Sequence, residues 1–303
     1  MDNRLLLVVI ALQFLLLAAL CPILVISRKR SAHGSALLKE KLQAALEAIN
    51  KKTEFFSDMV HEMKTPLSVI MGAVQLMELK GKEKNLEIIK INCFRLMRLT
   101  NNLLDLARIE AGCQVLKPVN CRLDSLLEEI VRSVKPYTLQ KQLDLSYAGS
   151  SGEITAAVDI EKIERVMLNL ISNAIKFTKP GGTVRVSSCR SGDKVVISVK
   201  DTGIGIPEES LNTIFNRYKQ AGCSVAAEYE GSGLGLSIVK SFIDLHQGDI
   251  KVVSEVGRGS EFIIELPVRR RDTNAGGIEA GGPDSRITDA ARMEFSSVRS
   301  IST

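Results

Sequence analysis

The chain has no tryptophan, and aromatic residues make up only 4% of its 303 residues, so its cores must be mainly aliphatic. Its six cysteines include no C-x-x-C pair, and His33 and His246 do not complete a plausible metal-binding set. Such thiols are typical of a reduced, cytosolic protein body. The net charge of +5 is small and spread along the chain. This excludes the concentrated basic surface of a nucleic-acid-binding protein.

An uncharged, mainly apolar segment runs from Leu5 to Ile26 and is followed by the basic triplet 28–30. As a helix, its 22 residues would span about 33 Å, enough for the core of a bilayer. We therefore expect residues 1–27 to be a single-pass transmembrane anchor, with the following chain in the cytoplasm. The triplet argues against a cleaved signal peptide, and Leu20 argues against a lipoprotein signal at Cys21. Since four residues precede the span, we expect no folded external sensor.

Apolar residues recur at spacings of three and four from Leu38 to Met77, which predicts a coiled-coil-like helical seam. At about 100° per residue, His61 lies about 200° from Met59 and Met63, so it is predicted to point away from the seam into water. Thr65 lies about 40° from His61 and shares its face. A lone helical histidine is more often a plain surface residue, so this pattern alone does not establish chemistry.

A second amphipathic helix is predicted from about Asn85 to Ala111, with Gly81 and Gly112 as helix stops. We therefore expect residues 28–50 to form a signalling helix and residues 51–113 to form an all-α helical hairpin. A single hairpin would leave wide apolar stripes exposed. Two hairpins are thus expected to pair into a dimeric four-helix bundle.

From about Pro118 the sequence pattern changes to short strands and amphipathic helices in mixed order, which predicts an α+β layer with a mixed sheet over residues 114–268. Asp124 is predicted to cap a helix that runs to about Leu139, and another helix is predicted from about Ile160 to Phe177. Residues 269–303 have little periodicity and favour a disordered tail. Strands are predicted near 143–148, 155–158, 183–188, 194–200, 249–254 and 260–266.

Asparagine side chains recur along the helix predicted from Ile160 to Phe177. Asn169, Asn173 and Lys176 lie on one face at i, i+4 and i+7. Amide oxygens at these positions can bind a hard cation, and the ammonium group can bind phosphate. An asparagine pair alone is more often a solvated face, so this motif is weak by itself.

Two glycine-rich motifs follow. Asp201 comes after a predicted strand and precedes Gly203 and Gly205, so a carboxylate acceptor stands beside backbone that a ligand can approach closely. The second motif opens an apolar helix, and bare amides at a helix N-terminus suit phosphates. Its glycines are Gly231, Gly233 and Gly235.

Together, these motifs resemble those of the bacterial two-component sensor histidine kinases. The segment from Phe56 to Leu67 resembles the family's H-box, and the later motifs resemble the N, G1 and G2 boxes of its Bergerat-type ATPase domain. The likeness extends over roughly residues 50–268. It implies His61 as the phosphoacceptor, Glu62 as the residue that orients the histidine or accepts its proton, and Thr65 as the residue that positions water when a phosphorylated partner is dephosphorylated.

The resemblance also implies ATP and Mg²⁺ as cofactors, with Asn169 as metal ligand, Asn173 and Lys176 at the phosphates and Asp201 at the adenine amine. The glycines of both motifs would line the nucleotide, and a mobile lid would precede Gly231. The implied partner is a response regulator receiver domain. The implied protein is a homodimer in a bacterial cell membrane, with its catalytic body in the cytoplasm.

Two other functions are open at this point. A non-kinase ATPase of the same fold, such as a chaperone or topoisomerase type, would use ATP to drive dimer clamping. A membrane scaffold would bind a regulator without any chemistry. The H-box and the membrane segment argue against the first, and the intact nucleotide motifs argue against the second.

Overall fold

The computed structural model describes residues 41–43, 46–47, 60, 63–74, 76–77, 83–150, 153–216, 233–269 and 285–295. The chain forms two compact units, residues 1–57 and 58–303, and the first is described only at helical residues 41–43 and 46–47. The predicted membrane segment lies outside the described residues. Within the described part of the chain, we find no helix that is both long and apolar enough to cross a bilayer.

The described residues of the region predicted to form the hairpin are mainly helical. Residues 63–74 form α1, and Glu83–Glu110 forms α2. Leu99 and Leu106 of α2 are buried and lie seven residues apart, so they share one face of the helix. Gly112 has a φ of +65°, and its N–H donates to Ile109 O at 3.1 Å. A left-handed glycine therefore ends α2, as predicted.

The described residues between 114 and 268 form the predicted α+β layer. The helices are α3 Leu123–Gln140, α4 Ile160–Phe177, α5 Glu208–Leu211, α6 Gly235–Leu245 and α7 Ser285–Glu294. The strands are β1 Val119–Arg122, β2 Asp144–Ala148, β3 Thr155–Val158, β4 Thr183–Ser191, β5 Lys194–Asp201, β6 Asp249–Glu255 and β7 Gly259–Pro267. Five strands make one mixed sheet in the order β2-β4-β5-β7-β6, in which β2 and β4 are parallel and the other neighbours antiparallel, while β1 and β3 pair separately.

The core lies between this sheet and the helices α3, α4 and α6, which contact it. Inward-facing strand residues alternate with exposed ones, for example Val184 and Val186 on β4 and Ile197 and Val199 on β5. These buried side chains are mostly aliphatic, as the low aromatic content predicts.

Asp124 does not cap α3, and this prediction is wrong. The cap position is occupied by Arg122, and Asp124 lies in the first turn. Its carboxylate accepts hydrogen bonds from Tyr147 Oη at 2.9 Å, Ser188 Oγ at 2.6 Å and Ile154 N–H at 2.9 Å. The residue therefore connects α3 to the strands, through partners that the local sequence does not reveal.

The segment 269–303, expected to be a disordered tail, contains the helix α7. Ile287, Ala291 and Phe295 follow one another at intervals of four, and they are 3%, 1% and 0% exposed. Phe295 stacks on Tyr137 of α3, with ring centroids 4.9 Å apart. The expectation of disorder is thus wrong for residues 285–295, because three apolar residues on one helical face find packing partners elsewhere in the chain.

Candidate nucleotide-binding site

Helix α4 holds two of the predicted amide side chains beside each other. The helix begins after Asp159, whose carboxylate accepts a hydrogen bond from Lys162 N–H, and it buries an apolar face in the core. Asn169 and Asn173 are half-buried on the adjoining face, and Asn173 Nδ2 donates to Asn169 Oδ1 at 3.3 Å. The two amides therefore point to the same place, as their spacing predicts.

The N-terminus of α6 lies directly against Asn169. A Cβ atom on Gly235 would stand 2.4 Å from Asn169 Nδ2 and 2.8 Å from its Oδ1, so a side chain there would displace the Asn169 amide. Gly233 has a φ of +65°, which favours glycine. The fold thus brings the N-terminus of a helix, whose first N–H groups have no partner within the helix, beside an amide side chain that is distant in sequence, and this arrangement suits phosphate oxygens.

Asp201 lies at the end of β5 and is only 7% exposed. Its Oδ1 accepts hydrogen bonds from Gly203 N–H at 2.8 Å and from Ser260 N–H at 3.3 Å. Burial raises the pKa of this carboxyl above its ordinary value, although both hydrogen bonds act in the opposite direction. Asp201 is therefore a fixed acceptor in a largely desolvated position, which suits the exocyclic amine of a base.

The loop after Asp201 is packed so tightly that glycine is required. A Cβ atom on Gly203 would lie 2.6 Å from Phe177 O, at the end of α4. A Cβ atom on Gly205, whose φ is +73°, would lie 2.1 Å from Glu255 O. The loop is thus held between the C-terminus of α4 and the turn that joins β6 to β7.

This β6–β7 turn supplies residues that the sequence does not identify. Gly259 has a φ of +101°, and a Cβ atom there would stand 2.0 Å from Asp201 O. Ser254 Oγ accepts a hydrogen bond from Ile206 N–H at 2.8 Å and lies 2.9 Å from Ser260 Oγ. The glycines predict a turn at this place, but no sequence signal predicts that the turn supports Asp201.

Two further predicted site residues, Lys176 and Thr65, lie within the described part of the chain. Lys176 is half-buried in the last turn of α4, with Nζ 5.1 Å from the ring centroid of Phe177, so its charge lies near the loop that Phe177 borders. Thr65 is exposed on α1. The roles of both stay predictions. The predicted residues that lie outside the described part of the chain are His61, Glu62 and Gly231.

The far ends of α4 and α6 are joined by a buried histidine. Asp159 N–H donates to His246 Nε2 at 3.0 Å, and His246 Nδ1 lies 2.7 Å from Phe242 O. This geometry requires a neutral ring that donates from Nδ1 and accepts at Nε2. Burial lowers the pKa of His246 below its ordinary value of 6.5.

We expect this histidine to make the fold acid-sensitive. Because its pKa is lowered in the folded state, the unfolded chain binds the proton more readily, so the contribution is fully present above about pH 6.5 and is lost as pH falls. Urea denaturation between about pH 8 and 5 should show a loss of unfolding free energy that is smaller in His246→Gln. Equal losses in both proteins would contradict this assignment.

Two family models match the chain in the regions described above. Residues 51–112 match the His Kinase A (phospho-acceptor) domain, and residues 158–270 match the histidine kinase-, DNA gyrase B- and HSP90-like ATPase. The first match covers the predicted hairpin. The second covers α4, both glycine motifs and the β6–β7 turn, that is, the elements that form the candidate site.

Curated relatives agree with these matches. The chain is 37% identical over 256 residues to hybrid signal transduction histidine kinase D of Dictyostelium discoideum, and 36% identical over 252 residues to sensor histidine kinase TmoS of Ectopseudomonas mendocina. Each match covers 80% of this chain, which spans only 16% and 26% of those two proteins.

A solved structure is similar to the fold as well. Histidine kinase ThkA in complex with response regulator protein TrrA matches with a TM-score of 0.55 and 26% identity, covering 71% of this chain and 61% of that one. The two matched family domains together span more than half of the chain, in the order of the predicted phosphoacceptor hairpin and nucleotide-binding layer. The chain therefore belongs to the two-component sensor histidine kinases.

Proposed function

We propose that this chain is an ATP-dependent protein-histidine kinase that phosphorylates its own His61 and passes the phosphoryl group to an aspartate of a response regulator. The strongest support is the approach of Gly235 to Asn169, which brings two distant motifs together. We call the place formed by Asn169, Asn173 and Gly235 at the N-terminus of α6 the phosphate corner. The buried acceptor Asp201 stands at the other motif, where adenine would bind. A phosphoacceptor domain in the same chain supplies the nucleophile.

In this mechanism, the chain positions a donor and an acceptor. Asp201 accepts a hydrogen bond from the adenine amine. The N-terminus of α6 and Asn173 hold phosphate oxygens. Neutral His61 would attack the γ-phosphorus of ATP while the bond from that phosphorus to the β–γ bridging oxygen breaks and ADP leaves, and Glu62 would orient the imidazole or accept its proton. Lys176 offsets charge on the transferring group.

The donor set at the phosphate corner also fits Mg²⁺. Asn169 Oδ1 is a hard oxygen ligand with a lone pair beyond the one that Asn173 uses. In the described part of the chain, no group of three or more His, Cys, Asp or Glu could hold a metal, so Asn169 would share the cation with the nucleotide phosphates. When bound, the cation would neutralise phosphate charge.

Incubation of the purified protein with γ-labelled ATP tests this proposal. We expect acid-labile, alkali-stable label on the protein, as a phosphohistidine requires. ATP hydrolysis without label on the protein would indicate the non-kinase ATPase instead. A protein that neither hydrolyses nor binds ATP would instead be the scaffold.

The dimer is part of the same proposal. Leu67, Met71 and Val74 of α1 are 53%, 55% and 39% exposed at i, i+4 and i+7, and Met97 and Leu104 of α2 are 50% and 49% exposed. Such stripes of exposed apolar side chains favour pairing with a second hairpin. We also propose membrane anchoring through residues 5–26, on the strength of their uncharged sequence.

We further propose that the protein dephosphorylates its regulator and that Thr65 positions the attacking water. Thr65→Ala should lower phosphatase activity at least about fivefold, since one lost hydrogen bond contributes about 1 kcal/mol. Autophosphorylation needs no such water and should survive. Thr100→Ala, which removes another exposed hydroxyl on the helical region, is the matched control. Equal loss of both activities would show that Thr65 serves the helix instead.

A further inference from the structure

The helix α7 follows the region that matches the ATPase family and connects two parts of the chain. It contacts α3 and α4 of the ATPase layer, and it also contacts α2 of the phosphoacceptor region. Phe295, directly after the helix, is fully buried and stacks on Tyr137 of α3. We call residues 285–295 the C-terminal strap.

The strap is bonded to α2 at its C-terminal end. Arg98 Nη1 donates to Glu294 O at 3.0 Å and lies 3.4 Å from Glu294 Oε1, and both side chains are only 18% exposed. A cation at this position also pairs with the negative end of the α7 dipole. Asn101 Nδ2 lies one turn closer to the end of α2 and contacts Met293 Sδ at 3.5 Å.

The ATPase layer also contacts α2 directly, without the strap. Arg165 of α4 forms an ion pair with Asp105 of α2, which is 4% exposed, and donates to Asn102 Oδ1 at 3.1 Å. Arg165 lies one turn before Asn169, so the two share a face of α4. The face of α4 that carries Arg165 and Asn169 is thereby held toward α2.

We propose that the C-terminal strap is an autoinhibitory contact, which holds the ATPase layer against α2 and must open before phosphoryl transfer to His61. This inference rests on the proposed kinase function. The acceptor His61 belongs to the first helix of the predicted hairpin, whereas the strap and Arg165 bind the layer to the second.

Transfer chemistry requires the layer to move. The γ-phosphorus must come within about 3–3.5 Å of the nucleophile, and His61 must then be cleared for a receiver domain. A layer fixed to α2 at two places can serve at most one of these stages. In this proposal, the stage that the closed contact blocks is transfer to His61, so the observed rate of autophosphorylation scales with the open fraction.

A charge-exchange experiment on the full chain tests the proposal. Arg98→Glu and Glu294→Arg should each raise the initial rate of autophosphorylation, roughly tenfold if the closed state dominates. Combining both should return the rate part of the way to that of the unchanged protein, because the ion pair is rebuilt with reversed charges while the bond from residue 98 to Glu294 O is not. Lys90→Glu makes the same charge change at an exposed position of α2 and should leave the rate unchanged.

A truncation after residue 283 gives a second measurement. It should raise the rate like the single charge variants while nucleotide binding persists, which shows that the layer remains folded. Unchanged or lowered rates in the truncated chain and in both single variants would overturn the proposal.

Failure of the kinase proposal gives a different result. In that case, the unchanged protein takes no label at all. The strap is then judged by hydrogen exchange of α2 amides around Arg98–Asp105. Faster exchange in the truncated chain supports the closed contact, and unchanged exchange overturns it.

Discussion

His61→Gln is expected to abolish phosphoryl transfer to the protein while ATP binding persists. Glutamine keeps a polar side chain at the position but has no nucleophilic ring nitrogen. The phosphate corner at Asn169 and Gly235 and the acceptor Asp201 belong to a different part of the sequence, so nucleotide affinity should change little. The measurement is acid-labile label from γ-labelled ATP, together with nucleotide binding by calorimetry.

His33→Gln is the matched control, because it removes another of the three histidines without touching the H-box. It should take label like the unchanged protein. Residual acid-labile label on His61→Gln would place the phosphoacceptor elsewhere.

Asn169→Ala is expected to lower Mg²⁺-dependent autophosphorylation by about 100-fold or more, the usual loss when a group that stabilises developing charge is removed. The substitution removes an oxygen ligand and opens space beside Gly235, where Asn169 packs. Alanine favours α4 as a helix, so the layer should stay folded. The rate should be measured across a series of Mg²⁺ concentrations.

Asn212→Ala provides the control, since it removes an exposed amide from the same layer. It should keep the activity of the unchanged protein. Undiminished turnover in Asn169→Ala would move the cation to other ligands.

Local periodicity predicted most of the elements. The helix from Ile160 to Phe177 occurs with the predicted bounds, and the six predicted strands occur with ends shifted by at most three residues. These elements follow from side-chain spacing along a short stretch, which a sequence shows directly. The short strand β1 was missed, because it exists through its pairing with β3.

Contacts between distant segments could not be predicted in the same way. Asp124 has the residue type of a helix cap and lies near the start of α3, yet its carboxylate binds groups on Tyr147, Ser188 and Ile154. The sequence shows the glycine motifs, but it does not identify Ser254, Ser260 and Gly259 as support for Asp201. Serines in strands form no pattern that marks them as part of a site. Phe295 lies in a polar, glycine-rich segment, and its burial depends on Tyr137.

The position of Arg165 on α4 has a thermodynamic consequence. Arg165 bonds to α2, and Asn169, one turn later on the same helix, lies against Gly235 in the proposed phosphate corner. If nucleotide changes the free energy of this contact, linkage requires the contact to change nucleotide affinity by the same factor. A receiver domain that favours one position of the layer would then alter the dissociation constant for ATP without touching the nucleotide.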